Sequence, residues 1–286
     1  MKLLRVGPPG AERPVVLGQD GTAYDLSGVT ADIDGDFLAG LTGGGAAALA
    51  GQVAAGRLPV AEIGGQRVGP PVARPGKVVG IGLNYRDHAA EAGAAIPDEP
   101  VIFLKPSSTV VGPYDEVLVP RGGEKTDYEA ELAVVIGRTA RYLPDHAAAA
   151  GVIAGYTIAN DVTERAFQFE RGGQWDKGKS AETFTPLGPW LVTADEVADP
   201  QRLPLRLWVN GELRQDGSTE RMVFPVLELV RYTSQFMVLE PGDVIVTGTP
   251  AGVTLGRPGT PYLAPGDIVE IEIDGLGRQR QVLGKA

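Results

Sequence analysis

The stretch Asp127-Tyr128-Glu129-Ala130-Glu131-Leu132-Ala133-Val134-Val135-Ile136 alternates along its length. Tyr128, Ala130, Leu132, Val134 and Ile136 fall on one side, and Asp127, Glu129, Glu131 and Ala133 on the other, which is the period of a β-strand. The acidic side has two readings. A solvent-facing strand side produces the same pattern. Yet Ala133 and Val135 continue that side without charge, so the acidic stripe stops halfway along. A second run, 155–160, ends in Asn160-Asp161 and could bring Asp161 to Glu129 and Glu131. Three convergent carboxylates repel one another unless a cation holds them. An all-oxygen donor set favours Mg²⁺, Mn²⁺ or Ca²⁺.

Outward from this strand, 77–82 and 101–104 read as strands, with a short helix at 85–92 between them. Residues 163–169 read as a helical turn or two. Residues 205–209 run into Asn210-Gly211, a hairpin signal. Residues 225–236 have helical spacing with Leu227, Val230 and Phe236 on the apolar side. Pro-Gly-Asp at 241–243 and 265–267 reads as two turns, each entering a β-branched strand. With 40 Gly and 23 Pro spread throughout, the chain predicts many short elements and a β-rich architecture. Strict β-α-β alternation is missing, which disfavours a doubly wound fold.

The 286 residues allow one or two domains and a full core without disulfides. Residues 39–56 hold 13 Ala or Gly, and 46–54 read as a small-residue helix. Pro70-Pro71 and Pro75-Gly76 suggest a boundary between a small N-terminal α+β domain, 1–72, and a larger domain, 73–286. The net charge of −10 argues against binding nucleic acid or anionic membrane through a basic field. Zero cysteines remove thiolate metal sites, iron–sulfur clusters and cysteine nucleophiles. No leader pattern stands at the N-terminus and no apolar run reaches spanning length, so a soluble cytoplasmic protein is expected.

Of the two histidines, His88 sits three residues before Glu91 in Asn84-Tyr85-Arg86-Asp87-His88-Ala89-Ala90-Glu91. On a helix the pair are neighbours. A carboxylate on one ring nitrogen raises the basicity of the other, giving a general base for water; a surface His–Glu pair reads the same way. His146 looks like a helix-start surface residue. Lys179 lies among glycines and aromatics in Trp175-Asp176-Lys177-Gly178-Lys179, and is either a surface lysine or a catalytic one. Thr247-Gly248-Thr249-Pro250 is either a turn or an anion site. Gly80-Ile81-Gly82 lacks the third glycine of a dinucleotide fingerprint, and no nucleophile elbow or phosphate loop occurs.

Phe103-Leu104-Lys105-Pro106, Asp127-Tyr128-Glu129-Ala130-Glu131-Leu132, Asn160-Asp161-Val162-Thr163-Glu164-Arg165 and Thr247-Gly248-Thr249-Pro250-Ala251-Gly252-Val253 follow Gly80-Ile81-Gly82-Leu83-Asn84-Tyr85 in one order. As an ordered set they resemble the fumarylacetoacetate hydrolase family. The resemblance implies a mixed β-sandwich roll, a homodimer, and a divalent metal, Mg²⁺ foremost, on Glu129, Glu131 and Asp161. It places a His–Glu dyad on His88 and Glu91 and a catalytic lysine on Lys179. Substrate contacts fall on Arg86, Lys105, Arg165, Gln168 and Thr249.

Met1 to Arg5, Asp25-Leu26-Ser27-Gly28 and 164–179 are most similar to the branch of 2,4-diketo-3-deoxy-L-rhamnonate and -fuconate hydrolases. Ser180-Ala181-Glu182-Thr183-Phe184 departs from the Gly-Cys-Asp-Thr-Phe common there. The implied activity is hydrolytic C–C cleavage of a 2,4-diketo acid, here a deoxy sugar acid, to pyruvate and a carboxylic acid. Alternatives are oxaloacetate decarboxylation, isomerisation of a 2-hydroxyhepta-2,4-diene-1,7-dioate, or a non-catalytic metal-dependent sugar-acid binder. The helix carrying His88, between Gly82 and Gly93, is expected to act as a lid ordered by ligand.

Overall fold

The computed structural model describes residues 1–286. Its centre is the strand Ala130–Ile136, buried at every position. Burial on both faces follows from its place in a ten-stranded mixed sheet. Ile153–Asn160 pairs with it antiparallel on one side, Ala130 opposite Asn160, and Val244–Val246 on the other. Beyond Val244–Val246 lie Val78–Gly82, parallel to it, and the edge strand Val101–Lys105. Beyond Ile153–Asn160 lie Leu191–Thr193, Lys2–Val6, Arg13–Leu17 and Ala23–Asp25.

The alternation in this strand sends its two faces into two separate cores. Tyr128, Leu132, Val134 and Ile136 enter the larger core with Leu205, Leu207, Ile271 and Ile273. These last come from a second, five-stranded sheet, ordered Glu212–Ser218, Pro204–Val209, Ile268–Ile273, Gly277–Lys285, Val117–Val119. Ala133 and Val135 enter the other core with Leu3, Val16, Leu26, Ile33 and Leu38. Truncating a leucine such as Leu132 in this packing costs about 2–5 kcal/mol. The solvent-facing reading of the acidic side is therefore wrong: residues from the N-terminal segment cover Ala133 and Val135, and Glu129 and Glu131 are themselves buried. For the same reason the boundary drawn at residue 72 divides the sequence but not the packing. Lys2–Val6 pairs with Leu191–Thr193, and a partly buried ion network (Arg5 with Asp32 and Glu12; Arg67 with Glu12 and Asp115) ties the segment together and to the body.

Three local readings need correction. Residues 163–169 divide into a short strand, Thr163–Glu164, and a helix, Arg165–Phe169. The helix expected over 225–236 is Val226–Thr233, and it buries Val226, Leu229, Val230 and Thr233. Phe236 lies beyond its end, 63% exposed and tilted against the Tyr232 ring. The small-residue helix Ala46–Ala54 continues back to Gly35 through a kink at Gly44. That 20-residue stretch is long and apolar enough to cross a membrane by length and composition, contrary to the expectation that no run reaches that length. Here Leu38, Leu41 and Leu49 face the second core.

This topology gathers chain ends. The start of Ala130–Ile136, the end of Ile153–Asn160 and the residues following Val244–Val246 and Val78–Gly82 all emerge at one end of the large sheet.

Candidate active site

At that end, Asp161 N–H donates to the Glu129 carbonyl at 3.0 Å, and Glu129 N–H donates to Asn160 Oδ1 at 3.2 Å. These two bonds bring Asp161 against the Glu129–Glu131 pair. All three carboxylates are buried, with ligand oxygens within 4.8 Å of one another. Asp127, expected on the same strand face, is turned away by a break before Ala130. It accepts from Arg165 Nε at 2.9 Å and from the N–H groups of Thr254 and Leu255.

Three buried cations surround the cluster. Lys179 Nζ donates to Glu129 Oε2 at 2.8 Å and to Asp161 Oδ2 at 2.7 Å. Lys105 pairs with the other Asp161 oxygen and donates to the Phe184 carbonyl at 2.9 Å. The Arg165 fork joins Asp127 to Glu129 Oε1 at 2.7 Å and donates to Gln168 Oε1 at 3.1 Å. Glu131 has no cation beside it; its one hydrogen bond comes from Gly248 N–H at 2.6 Å.

The carboxyls separate electrostatically. Burial pushes Glu129 up, but Lys179 and Arg165 outweigh it and hold the group at about 2. Burial pushes Glu131 well up, and the charges of Asp161 and Glu129 push it further. Lys179 is lowered by burial but raised on balance by Asp161 and Glu129, so it stays an ammonium. Burial shifts Lys105 downward, against the pull of Asp161.

Two short helices supply Lys179 and Gln168. Asp176–Lys179 is pinned to the edge strand by Asp176 Oδ1, which accepts from Leu104 N–H at 3.1 Å. Gly178 lets it meet Arg165–Phe169, since a Cβ there would lie 2.6 Å from Gln168 Cβ. The Gln168 amide nitrogen makes no hydrogen bond within the protein, which leaves it free as a donor.

The cluster opens into a cavity of about 240 Å³ whose lining includes Glu129, Glu131, Arg165, Gln168, Lys179, Thr249 and His88. His88 lies on the helix Arg86–Glu91, with Nδ1 buried, unpaired and 3.9 Å from Glu91 Oε2. Glu91 Oε2 instead accepts from Gly252 N–H at 2.8 Å. Burial raises the Glu91 carboxyl, but His88, that N–H and Arg257 outweigh it and lower the group overall. Asn84 ties the front of the helix to Phe224 and the Thr247 carbonyl, and Arg221 pairs with Asp87.

Four of the residues assigned to substrate sit differently from that assignment. Arg86 is exposed and outside the cavity lining, since it faces away from His88 on its helix. Lys105 is also outside the lining, with its ammonium spent on Asp161 and two carbonyls. Arg165 lines the cavity with its guanidinium committed to Asp127, Glu129 and Gln168. Thr249 lines it too, but its hydroxyl donates to the Ala130 carbonyl at 2.9 Å and accepts from Gln215 Nε2 at 2.8 Å. His146 is exposed and pairs with Glu228. Gln215 and the aromatic wall formed by Phe103, Phe169 and Trp175 were not singled out from sequence, because they come from separate segments without a shared spacing.

The family model for the fumarylacetoacetate (FAA) hydrolase C-terminal domain matches residues 77–283. A Burkholderia multivorans protein named no more closely than a hydrolase is 52% identical over 283 residues, covering 99% of this chain and 98% of that protein. Among solved structures, a maleylpyruvate hydrolase from Sphingobium sp. SYK-6, in complex with manganese (II) ion and pyruvate, is 30% identical with a TM-score of 0.82. It and this chain cover each other fully, at 100% of both. A 2-hydroxyhepta-2,4-diene-1,7-dioate isomerase from Mycobacterium marinum is 32% identical with a TM-score of 0.76, over 100% of this chain and 98% of that one.

Proposed function

This chain belongs to the fumarylacetoacetate hydrolase family, and from that premise we propose that it hydrolyses the C3–C4 bond of a 2,4-diketo acid to pyruvate and a carboxylic acid. One observation supports this above the rest: Glu129, Glu131, Lys179 and His88 line one small cavity, and the buried Asp161 stands against that carboxylate pair. The donor set suits a hard divalent cation, because Glu131 is a buried carboxyl with no cation of its own. Glu129, Glu131 and Asp161 would hold that cation, Mg²⁺ or Mn²⁺, which supplies positive charge for a 2-oxo acid's carboxylate and carbonyl.

The protein's own groups account for the proton transfers. His88 takes a proton from water as its oxygen adds to C4, and Glu91, ionised at neutral pH, stabilises the imidazolium. Lys179, permanently charged, faces the oxygen on which negative charge grows, and Gln168 Nε2 positions the substrate as a donor. The C3–C4 bond then breaks with its electron pair remaining on C3. The proton held by His88 passes to that carbon, completing pyruvate.

A second reading rests on the isomerase similarity and on the 3.9 Å separation of His88 from Glu91. Isomerisation or oxaloacetate decarboxylation uses the acidic cluster and Lys179 without a water-activating base. Pyruvate release from a panel of acylpyruvates and oxaloacetate, with Mg²⁺ and with EDTA, separates the two. Under the hydrolase reading, His88→Ala lowers acylpyruvate cleavage by about 10²–10⁴-fold. Metal-dependent turnover of oxaloacetate alone, indifferent to His88→Ala, would replace hydrolysis with decarboxylation.

A further inference from the structure

Beside the acidic cluster, one wall of the cavity is aromatic and aliphatic. Phe103, Trp175 and Phe169 form a run of three rings in edge contact, with centroids 6.0 Å apart for Phe103–Trp175 and 6.3 Å for Phe169–Trp175. Leu83 and Leu255 line the same cavity. Gly80 and Gly82 make room for two of these rings: a Cβ on Gly80 would run into Phe103, and one on Gly82 into Trp175. Alternate residues of a strand share a face, so the two glycines leave a flat bed for both. The wall is joined to the chemistry. Trp175 begins the turn that ends in Lys179, and Lys179 Nζ stands 5.1 Å from the Phe103 ring centroid.

We infer that this chain takes 2,4-diketo acids whose acyl group beyond C4 is short and apolar, aliphatic or aryl, and not the deoxy sugar acid expected from sequence. The inference rests on the proposed hydrolysis for the reaction and on the cavity for the acyl group. Of the cavity's cationic and hydroxyl side chains, Arg165 and Thr249 are committed within the protein, and Lys179, paired with Glu129 and Asp161, is given to the reacting oxygen. Gln168 Nε2 and His88 remain for the reacting atoms. A polyol arm or a distal carboxylate would exchange water for a mostly aromatic and aliphatic wall with no free cationic or hydroxyl side chain to pair with. An apolar acyl group gains by the same transfer. The volume, about 240 Å³, falls below the ~300–1,000 Å³ of pockets for drug-sized ligands, which keeps the group short.

The test has a turnover arm and a binding arm, both on the Mn²⁺-loaded full chain. Pyruvate release is compared for isovalerylpyruvate, benzoylpyruvate, maleylpyruvate and 2,4-diketo-3-deoxy-L-fuconate. Calorimetry compares phenylpyruvate with 2-oxoglutarate, neither of which has a C–C bond of this type to hydrolyse. The apolar member is expected to lead by at least about tenfold in kcat/KM and in affinity. Trp175→Ala and Phe169→Ala, the second half-exposed and outside the core, should each shrink that ratio at least about threefold. Equal or better turnover and binding of the polar compounds overturns the inference while leaving hydrolysis standing. Silence of every acylpyruvate, with phenylpyruvate still bound at least tenfold more tightly, overturns hydrolysis and upholds the apolar subsite.

Discussion

Lys179 Nζ lies 2.7 Å from Asp161 Oδ2, with both side chains shut off from solvent. Lys105 holds the opposite oxygen of the same carboxylate, so Asp161 is clamped between two ammonium groups. Asp127, Glu129, Glu131 and Asp161 face only three cations, Lys105, Lys179 and Arg165. The surplus negative charge falls on Glu131, which either keeps a proton or shares a metal ion. Lys179 thus competes for the oxygens a metal would use while supplying charge that the reaction needs.

These two roles predict opposite responses. Lys179→Met should lower kcat by about 10²–10³-fold, as loss of a charge-stabilising donor does. Its affinity for Mn²⁺, read by calorimetry, should stay the same or tighten. Glu131→Gln should instead weaken Mn²⁺ binding by about tenfold or more. If Lys179→Met loses the metal while Glu131→Gln keeps it, Lys179 is a scaffold for the cluster and the division of roles fails.

Arg165 is predicted to matter more for stability than for substrate. Its fork spans Asp127, Glu129 and Gln168, and Asp127 in turn holds the N–H groups of Thr254 and Leu255. Arg165→Met leaves two buried carboxylates short of a partner and should cost about 3–5 kcal/mol in urea unfolding. Arg165→Lys carries the charge but has no fork to reach all three partners, so it should recover only part of that loss. A variant as stable as wild type with a raised KM would return Arg165 to the substrate.

The strand 127–136 was legible because alternation in one segment is a local signal, and the same signal placed Glu129 and Glu131 together. What covers its second face was not, since Leu3, Val16, Ile33 and Leu38 lie far away in sequence. Asp161 could be suspected from its position at a strand end, but only the bond between its N–H and the Glu129 carbonyl fixes the convergence. Arg86 shows the limit of resemblance, which assigns a position and not the direction of a side chain. Phe236 fails for a simpler reason: helical spacing was extended past Thr233, where the helix stops.

Acid should expose one surface contribution away from the site. Glu228 accepts from Arg231 at 2.6 and 2.8 Å and pairs with His146 at 2.9 Å. The Arg231 hydrogen bonds first, and His146 after them, bring the Glu228 carboxyl from 4.5 down to about 2. A depressed carboxylate stabilises the fold above its unfolded value and loses that contribution as pH falls through the folded one. Because the cluster is near the surface, Glu228→Gln should cost only about 0.5–1 kcal/mol at neutral pH. In thermal melts the part of the wild-type advantage that comes from Arg231 should fade as pH falls from about 4.5 toward about 2. An advantage that persists at the acid end would assign it to packing.

Gln215 is predicted to position the site from the second sheet without touching substrate. Its Oε1 accepts from Ala130 N–H at 2.9 Å, and its Nε2 donates to Thr249 Oγ1 and to the Pro250 carbonyl, both at 2.8 Å. One fully buried amide therefore joins the residue between Glu129 and Glu131 to the loop whose Gly248 N–H holds Glu131. Gln215→Leu keeps the volume but leaves buried groups unpaired, costing about 1–3 kcal/mol for each. Loosening that loop should also let Glu131 drift, and small misplacements of reacting groups can cost about 10²-fold in rate. The expected signature is a fall in kcat and a weaker Mn²⁺ affinity with KM nearly constant, since Gln215 does not line the cavity. Gln215→Glu, which keeps the Ala130 acceptor but turns a buried carboxyl oxygen onto the Pro250 carbonyl, should lose at least as much as Leu. Loss of stability with kcat and metal affinity intact would make Gln215 a core residue only, leaving Glu131 held by Gly248 alone.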